Sequence, residues 1–326
     1  MTTPILSIRN LTVDIPTRHG TLRPVNSVSY DIAAGEILGV VGESGAGKSM
    51  AGNAVIGLLN PPAHIASGEI HLNGQRIDNL PQDDIRKLRG KHIGMVFQDP
   101  LTSLNPLLKI GDQLTETMLA HLDISQSQAR SRAVAALEEV GIPGAAERVD
   151  SYPHEFSGGM RQRVVIALAL CAEPSLIIAD EPTTALDVSV QAQIIALLKR
   201  LCRERGTAVM LITHDMGVIA EAADRVAVMY AGQLAELGPV REVLSAPVHP
   251  YTDGLMGSTP LASRGKDRLH QIPGAMPRLD ALPTGCAFHP RCPFTQDDCK
   301  ADPGPRIEDG GGRAACFHPI SRTEVA

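Results

Sequence analysis

Short apolar runs separated by amphipathic stretches dominate the first 240 residues of the chain. One run covers 36–41 and enters a glycine-rich turn, a second covers 176–179 and ends in two acids, and a third covers 207–213 and ends in a histidine. Buried parallel strands have this pattern, because both faces of such a sheet are covered by other elements. The pattern therefore predicts an α/β fold with a parallel sheet.

Apolar residues at helical spacing connect the second run to the third, and they are Val190, Ile194, Leu198 and Leu201. Gly206 supplies a stop signal after them, which completes a strand, helix, strand crossover. A second helix is predicted from about 126 to 140. Ser125 is its expected N-cap, Gln128 completes a capping box, and Gly141 lies just beyond its end.

A phosphate-binding loop is predicted directly after the first run. Residues 42–49 fit the pattern GxxxxGK[ST], with an apolar strand before them and a helix-compatible stretch, 50–59, after them. Backbone N–H groups in such a loop point at phosphate oxygens. Lys48 is expected to reach the β and γ phosphates, and the Ser49 hydroxyl to coordinate Mg²⁺. The predicted nucleotide-binding residues are Gly42, Glu43, Ser44, Gly45, Ala46, Gly47, Lys48 and Ser49.

Two carboxylates follow the second run. Asp180 is expected to hold Mg²⁺, directly or through water, and Glu181 to polarise the attacking water as the catalytic base. A pair of surface acids after a buried strand is the alternative, and the nearby phosphate loop disfavours it. Lys48 and Asp180 are 132 residues apart, whereas one crossover unit needs about 30, so a further region is inserted between them.

The insertion contains a second candidate anion-binding helix end. Ser157, Gly158 and Gly159 precede the apolar helical run 164–171. Helix N-termini present unpaired N–H groups and the positive pole of the helix dipole. Because the chain has one nucleotide loop and two such ends, we expect the second end to serve the nucleotide of a neighbouring subunit.

In order and spacing, these motifs over about residues 5–240 resemble the nucleotide-binding subunit of an ATP-binding cassette transporter. The resemblance identifies 42–49 with the Walker A loop and 157–159 with the signature motif. It identifies Asp180 and Glu181 with Walker B and its catalytic glutamate. The implied fold is an α/β P-loop NTPase (RecA-like) cassette core with an inserted α-helical subdomain and a Cys/Pro-rich C-terminal extension.

Further site residues are implied by the same resemblance. Gln98 corresponds to the Q-loop glutamine that senses Mg²⁺ and water, Asp187 to the D-loop, and His214 to the switch histidine that contacts the γ-phosphate. The family commonly stacks adenine on an aromatic residue before the first apolar strand. At that place this chain has His19 as the first candidate and Arg18 as the second.

The resemblance also implies an assembly and a division of the chain. Two subunits close head to tail over two ATP molecules, and each nucleotide lies between one phosphate loop and the other subunit's signature serine. The implied domains are a core of 1–98 and 159–240, a helical and signature subdomain of 99–158 that carries the motion to a membrane partner, and an extension of 241–326.

Three short stretches are similar to the oligopeptide/dipeptide importer subfamily: QDPLTSLNP at 98–106, SGGMRQR in the signature, and HPYT at 249–252. The implied function is ATP hydrolysis that energises import of dipeptides and oligopeptides at the cytoplasmic face of the cell inner membrane. The implied partners are a second, non-identical ATPase subunit, two transmembrane permease subunits and, through these, an extracytoplasmic substrate-binding protein. Nickel chelates and glutathione are alternative cargoes, because the ATPase subunit does not touch the cargo.

The six cysteines form two groups. Cys171 and Cys202 lie in apolar, helix-like stretches and are expected to be buried as small hydrophobic residues. The other four lie in the last 41 residues, in a Pro- and Gly-rich stretch where a metal could replace a missing core; they are Cys286, Cys292, Cys299 and Cys316. Their irregular spacing favours a [4Fe-4S] cluster, which the subfamily's tail also resembles, over zinc or no metal. His289 and His318 are alternative ligands.

Composition limits the remaining alternatives. The net charge is −6, and 240–326 carry ten basic and ten acidic residues, so the chain has no basic block for nucleic acid. This disfavours a soluble cassette ATPase of translation or repair, and no nucleic-acid partner is predicted. The longest apolar run, 164–172, has nine residues, whereas a membrane-spanning helix needs about twenty. The N-terminus has no signal-peptide pattern.

Overall fold

The computed structural model of this chain describes residues 3–184, 186–258, 271–302, 304–305, 307 and 313–320. These residues form two compact units. The first lies within Met1–Ala33, Ile37–Leu80 and Ile212–Ala326, and the second within Ala34–Glu36 and Pro81–Leu211. The division into core, helical subdomain and extension that the sequence suggests stays a prediction.

The strands are β1 (Leu6–Thr17), β2 (Gly20–Ile32), β3 (Ile37–Val41), β4 (His64–Leu72), β5 (Gln75–Arg76), β6 (Ile93–Val96), β7 (Leu176–Asp180), β8 (Ala208–Ile212), β9 (Arg225–Tyr230) and β10 (Gln233–Pro239). The α-helices are α1 (Lys48–Ile56), α2 (Gln82–Leu88), α3 (Pro100–Ser103), α4 (Ile110–His121), α5 (Gln126–Glu139), α6 (Ala145–Arg148), α7 (Gly158–Leu170), α8 (Val188–Arg205), α9 (Met216–Ala222), α10 (Val240–Ser245), α11 (Pro250–Gly257) and α12 (Asp297–Ala301). Short 3₁₀ helices cover Pro153–Glu155 and His289–Arg291.

An antiparallel sheet with the strand order β2-β1-β4-β5 forms one layer of the first unit. Its register places Leu6 opposite both Ile32 and Leu72, and all three side chains are buried. The register shifts between Ile8 and Leu11, where Asn10 adopts a positive φ of 47°. An extra residue at such a bulge interrupts the alternation of inward and outward side chains.

Three more strands of the first unit place the phosphate loop. β3 is buried at all five positions and pairs in parallel with β9, which pairs antiparallel with β10. A Cβ on Gly39 would lie 2.5 Å from Cδ1 of Ile219 in α9, so this helix packs directly on the strand. The predicted buried strand at 36–41 is confirmed, and its carboxyl end leads into the glycine-rich turn and α1.

The second unit contains the parallel pair β6 and β7, with β8 on the other side of β7. A Cβ on Gly94 of β6 would lie 2.3 Å from the carbonyl oxygen of Ala169, so α7 packs closely against that strand. The predicted crossover helix is α8, and Gly206 ends it with a φ of 66°. The runs at 176–179 and 207–213 form β7 and β8, as predicted.

Residues 99–157 of the second unit are helical, with α3 to α6 and the first 3₁₀ helix. Helices α4 and α5 pack on each other through apolar faces made of Ile110, Leu114 and Met118 on one side and Ala129, Ala133 and Leu137 on the other. The predicted capping box is present at the start of α5. Ser125 Oγ accepts a hydrogen bond from the N–H of Gln128 at 3.3 Å, and Gln128 Oε1 accepts one from the N–H of Ser125 at 2.8 Å.

The C-terminal extension, 241–326, is called the tail below. Its described part contains most of α10, all of α11 and α12, and the second 3₁₀ helix, and an isolated bridge joins Ala314 to Glu236. Cys171 and Cys202, in the second unit, are buried as predicted. Within the portions of the chain that the structure covers, no helix has the length and apolar character needed to cross a bilayer.

Replacing Ser125 by Ala is expected to lower the free energy of unfolding by about 1 kcal/mol, because one N-terminal N–H of α5 loses its acceptor. Urea unfolding, with hydrogen exchange of the first α5 amides, measures the effect. Ser131 of the same helix bonds only to the carbonyl of Ser127, so Ser131→Ala is the matched control. Equal stability of the two variants would contradict the role of the cap.

Candidate functional site

The glycines of the loop at 42–47 are required by its backbone. Gly42, Gly45 and Gly47 have φ values of 149°, 84° and 100°, a region that other residues rarely adopt. A Cβ on Gly42 would lie 2.2 Å from the carbonyl oxygen of Met229, and one on Gly47 would lie 2.0 Å from that of Pro24. Only glycine fits these two positions, and the loop therefore curves tightly into the N-terminus of α1.

Lys48, the first residue of α1, is only 6% exposed. Its ammonium Nζ donates hydrogen bonds to the carbonyl oxygens of Gly42 at 2.8 Å and Glu43 at 3.0 Å. The side chain thus folds back over the loop and places a positive charge at its centre. A fixed positive charge at the start of a helix suits an anion in the loop.

Two residues of the tail that sequence reasoning missed also contact this loop. The hydroxyl of Tyr251 accepts a hydrogen bond from the N–H of Glu43 at 2.9 Å, and Nη1 of Arg291 donates to the Glu43 carboxylate at 3.0 Å. Tyr251 belongs to the HPYT stretch at 249–252, which is similar to the importer subfamily but has no predicted role in the nucleotide site. No local pattern indicates Arg291.

In the second unit, Gln98 and Glu181 meet although they are 83 residues apart in sequence. Gln98 Nε2 donates a hydrogen bond to Glu181 Oε2 at 3.1 Å, and Thr184 Oγ1 donates to the same oxygen at 2.9 Å. Glu181 directly follows Asp180 at the end of β7 and has a φ of 47°, a strained conformation for a non-glycine residue that costs about 1–3 kcal/mol. The sequence predicts that Gln98, Asp180 and Glu181 belong to one site. The structure places Gln98 in contact with Glu181.

The predicted signature residues lie at the start of α7. Ser157 is the N-cap and accepts a hydrogen bond from the N–H of Met160 at 3.4 Å, and both Ser157 and Gly158 are exposed. A Cβ on Gly159 would lie 2.7 Å from Cγ1 of Val190, so this glycine allows α7 and α8 to approach. The start of α7 is therefore accessible at Ser157 and Gly158.

Asp187 caps the neighbouring helix α8. Its Oδ1 accepts hydrogen bonds from the hydroxyl of Ser189 at 2.7 Å and the N–H of Val190 at 2.9 Å. These two hydrogen bonds lower the pKa of Asp187 below its ordinary value, so the carboxylate is ionised at neutral pH. An exposed, ionised cap close to the start of α7 is compatible with the predicted D-loop role.

The two predicted histidines lie in the first unit. His214 is exposed and follows Thr213, whose N–H donates to the carbonyl oxygen of Val40 at 3.1 Å, next to β3. His19 is exposed in the turn that joins β1 to β2. Their contacts with the γ-phosphate and with adenine stay predictions.

The four tail cysteines line one pocket together with Phe288 and His289, among other residues. Burial raises the pKa of Cys316 to about 11 and also raises the pKa of Cys286 and Cys292. Across the described residues, one group of at least three His, Cys or carboxylate ligand atoms lies within 4.8 Å of one another, namely Asp298, Cys299 and His318. His318 Nε2 lies 2.8 Å from Asp298 Oδ1.

Comparison with known proteins gives matches over nearly the whole chain. Residues 25–184 match the ABC transporter family, and residues 235–299 match the oligopeptide/dipeptide transporter C-terminal region. The chain is 48% identical over 317 residues to the oligopeptide transport ATP-binding protein OppD of Salmonella typhimurium, covering 97% of this chain and 94% of OppD. It is 46% identical over 324 residues to the dipeptide transport ATP-binding protein DppD of Bacillus subtilis, covering 99% and 97% respectively.

A solved structure is also similar. A dimeric post-hydrolysis state of the ATP-binding cassette MJ0796, bound to ADP and Pi, matches with a TM-score of 0.65 and 29% identity. The match covers 72% of this chain and 99% of that one.

Replacing Gly47 by Ala is expected to weaken ATP binding by about 10²-fold, because the new Cβ would collide with the Pro24 carbonyl and displace the loop by an ångström or more. Titration with a fluorescent ATP analogue measures the affinity. Gly206 also has a positive φ, 66°, but a Cβ added there would meet nothing within 4 Å. Gly206→Ala is therefore the control for backbone strain alone, and equal affinities of the two variants would rule out the steric explanation.

Proposed function

This chain belongs to the ATP-binding subunits of ABC transporters, and on that premise we propose that it hydrolyses ATP to drive the import of short peptides. It is an ATPase with the P-loop cassette fold, and it uses ATP with Mg²⁺. The choice of a peptide cargo rests on the extent of the similarity to the ATP-binding subunits of peptide transporters. It covers 97–99% of the chain, and the matched regions include the tail typical of oligopeptide and dipeptide transporters.

In the proposed ATP site, the loop 42–49 binds the β and γ phosphates through the ammonium of Lys48 and through N–H groups other than that of Glu43, which is donated to Tyr251. Ser49, Asp180 and Gln98 offer oxygen ligands to Mg²⁺, which neutralises phosphate charge when it is bound. This assignment is supported by the glycine geometry of the loop and by the burial of Lys48.

Glu181 is the proposed catalytic base. Its carboxylate takes a proton from the attacking water, and the hydrogen bonds from Gln98 and Thr184 hold that carboxylate in place. His214 is proposed to contact the γ-phosphate, and His19 the adenine. The left-handed backbone at Glu181 supports a functional role, since strained residues are concentrated at active sites.

The proposed assembly pairs this chain with a second, homologous ATPase subunit. The signature residues, 157–159, of which Ser157 and Gly158 are exposed, would bind the triphosphate held by the partner's loop, and Asp187 would line the same interface. Loss of the γ-phosphate removes the charged group that both subunits grip, so the pair reopens. Two permease subunits receive this motion at the cytoplasmic face of the membrane, and an extracytoplasmic binding protein supplies the peptide to them.

For the tail we propose a [4Fe-4S] cluster held by the four cysteines. All four line one pocket, which meets the first requirement for a shared ligand group. Zinc–sulfur bonds of about 2.3 Å in a tetrahedron need sulfurs about 3.8 Å apart. In the described part of the chain no three of these sulfurs lie within 4.8 Å of one another, so they are not arranged as the ligands of one tetrahedral zinc ion. His289 and His318 stay alternative ligands.

Reconstitution with the cognate permeases in proteoliposomes tests the proposed function. Uptake of a labelled dipeptide or tripeptide should require ATP and should be competed by unlabelled peptide. A nickel chelate and glutathione are the comparison cargoes. ATP-driven uptake of either one without peptide uptake would overturn the choice of cargo and leave the ATPase assignment intact.

Replacing Glu181 by Gln is expected to preserve ATP binding and to lower the hydrolysis rate by about 10²–10⁴-fold, because the water-polarising carboxylate is lost while the phosphate contacts remain. Phosphate release by the assembled transporter measures the rate. Glu173, an exposed acid of the same unit, provides the control Glu173→Gln. Normal turnover of the Glu181 variant would remove Glu181 from its role.

Anaerobic purification of the full chain should give a brown protein with broad visible absorbance and about four irons per chain. Cys299→Ser should lower both the visible absorbance and the iron content. Cys202 is a buried thiol of the other unit, so Cys202→Ser should change neither quantity. Iron content and the electron paramagnetic resonance spectrum of the reduced protein give the readout. A colourless protein with stoichiometric zinc would reverse the metal assignment.

A further inference from the structure

The phosphate-binding loop contains a carboxylate. Glu43 lies one residue after Gly42, in the segment whose N–H groups are proposed to surround a triphosphate. An ionised carboxylate close to phosphates repels them, unless a positive group neutralises it. The structure supplies such a group from the tail, because Nη1 of Arg291 donates to Glu43 Oε1 at 3.0 Å and to Oε2 at 3.1 Å.

One partner of this ion pair is buried and the other is partly exposed. The Arg291 side chain is 7% exposed and that of Glu43 is 28% exposed. Ion pairs on the surface contribute little, because water and salt screen them, whereas a shielded charge that loses its partner is costly. The pair therefore has the burial needed to influence the loop.

Other contacts hold the Arg291 guanidinium in place. Its Nε donates to the carbonyl oxygen of Pro273 at 2.8 Å, and Nη1 also donates to the Tyr230 hydroxyl at 3.3 Å. The guanidinium carbon lies 5.8 Å from the centre of the Tyr230 ring and 6.0 Å from that of Phe288. These contacts hold the guanidinium in position independently of Glu43. Less side-chain entropy is therefore lost when the ion pair forms.

Tyr251 makes a second connection between tail and loop. Its side chain is fully buried, and its ring packs 4.6 Å from the ring of Tyr230 and 5.4 Å from that of Phe288. Its hydroxyl accepts the N–H of Glu43 at 2.9 Å. Main-chain and side-chain atoms of Glu43 are therefore both held by the tail, while its carbonyl oxygen accepts a hydrogen bond from Lys48.

We propose that Arg291 is a positioning residue of the nucleotide site, which neutralises Glu43 and turns its carboxylate away from the phosphates. Tyr251 assists by fixing the Glu43 backbone. The inference rests on the proposed role of 42–49 as the phosphate-binding loop, and it adds that a residue of the tail tunes the affinity of this loop for ATP.

The tail connection also involves the cysteine pocket. Arg291 ends the 3₁₀ helix at 289–291 and immediately precedes Cys292, while Phe288 lines the pocket and packs on Tyr230 at 5.2 Å. The same short turn therefore contributes to the pocket and to the loop. Any change that moves this turn is expected to alter ATP affinity, and by linkage bound nucleotide stabilises the turn.

The test is the affinity of the purified full chain for ATP and for ADP, measured with fluorescent analogues. Arg291→Ala should weaken ATP binding by about 10-fold or more, because a partly buried carboxylate is left without its cationic partner beside the phosphates. The effect should be smaller for ADP, which carries less negative charge. Arg291→Lys should give an intermediate value, since it keeps the charge but lacks the planar fork.

The decisive variant is the double substitution Arg291→Ala with Glu43→Gln. Removing the carboxylate should restore ATP affinity to within about 3-fold of the unaltered chain if repulsion causes the loss. A purely structural contribution of Arg291 would leave the double variant as weak as the single one, and that result would overturn the inference. Arg278, an exposed tail arginine paired with Asp280, provides the matched control Arg278→Ala, whose affinity should not change.

Two further variants distinguish failure of this inference from failure of the proposed ATP site. If Arg291→Ala does not fold, Glu43→Gln alone is informative: it should raise ATP affinity at least about 3-fold, because it leaves the Arg291 charge uncompensated near the phosphates. Unchanged affinity of this variant would overturn the inference. Lys48→Ala tests the loop assignment itself. Normal ATP binding by Lys48→Ala would refute the proposed ATP site, whereas loss of binding there with no effect of Arg291→Ala would refute only the role of Arg291.

Discussion

The close approach of two backbone segments to the glycines of one loop is the constraint on which the rest of the site depends. At Gly42 and Gly47 the space for a Cβ is already taken by carbonyl oxygens of Met229 and Pro24. This contact gives the loop its curvature, and the curvature places the N-terminus of α1 and the Lys48 ammonium at the loop's centre. A fixed positive charge in a glycine loop at the start of a helix suits a phosphate ligand.

The chemistry of the proposed ATP site is divided among segments that are distant in sequence. The second unit supplies a carboxylate held by an amide and a hydroxyl, at the point where β7 ends in a strained residue, Glu181. The start of α7, with Ser157 and Gly158 exposed, is the part of this unit that is proposed to act on the nucleotide of a partner subunit. A P-loop ATPase that works in pairs needs both kinds of group, one to act within the chain and one to act across an interface.

Sequence reasoning succeeded where the pattern is local. The buried parallel strands, the capping box at Ser125 and the glycine that ends α8 all follow from residues a few positions apart, and all are present. The antiparallel sheet was missed, because bulges such as the one near Asn10 break the period-two alternation that would have revealed it. The pairing of Arg291 with Glu43 spans 248 residues, and no short-range pattern encodes such a contact. The roles of Gln98 and His214 came from resemblance alone.

That long separation has a consequence for synthesis of the protein. The ribosome makes the phosphate loop early and its tail contacts last, since Tyr251 and Arg291 follow every nucleotide-binding motif. A nascent or prematurely terminated chain would contain all of those motifs but would lack the hydrogen bonds with Tyr251 and Arg291 that hold Glu43 in place. ATP affinity of such a chain is then expected to stay about 10-fold or more below that of the finished protein until Tyr251 and Arg291 have been made and contact the loop.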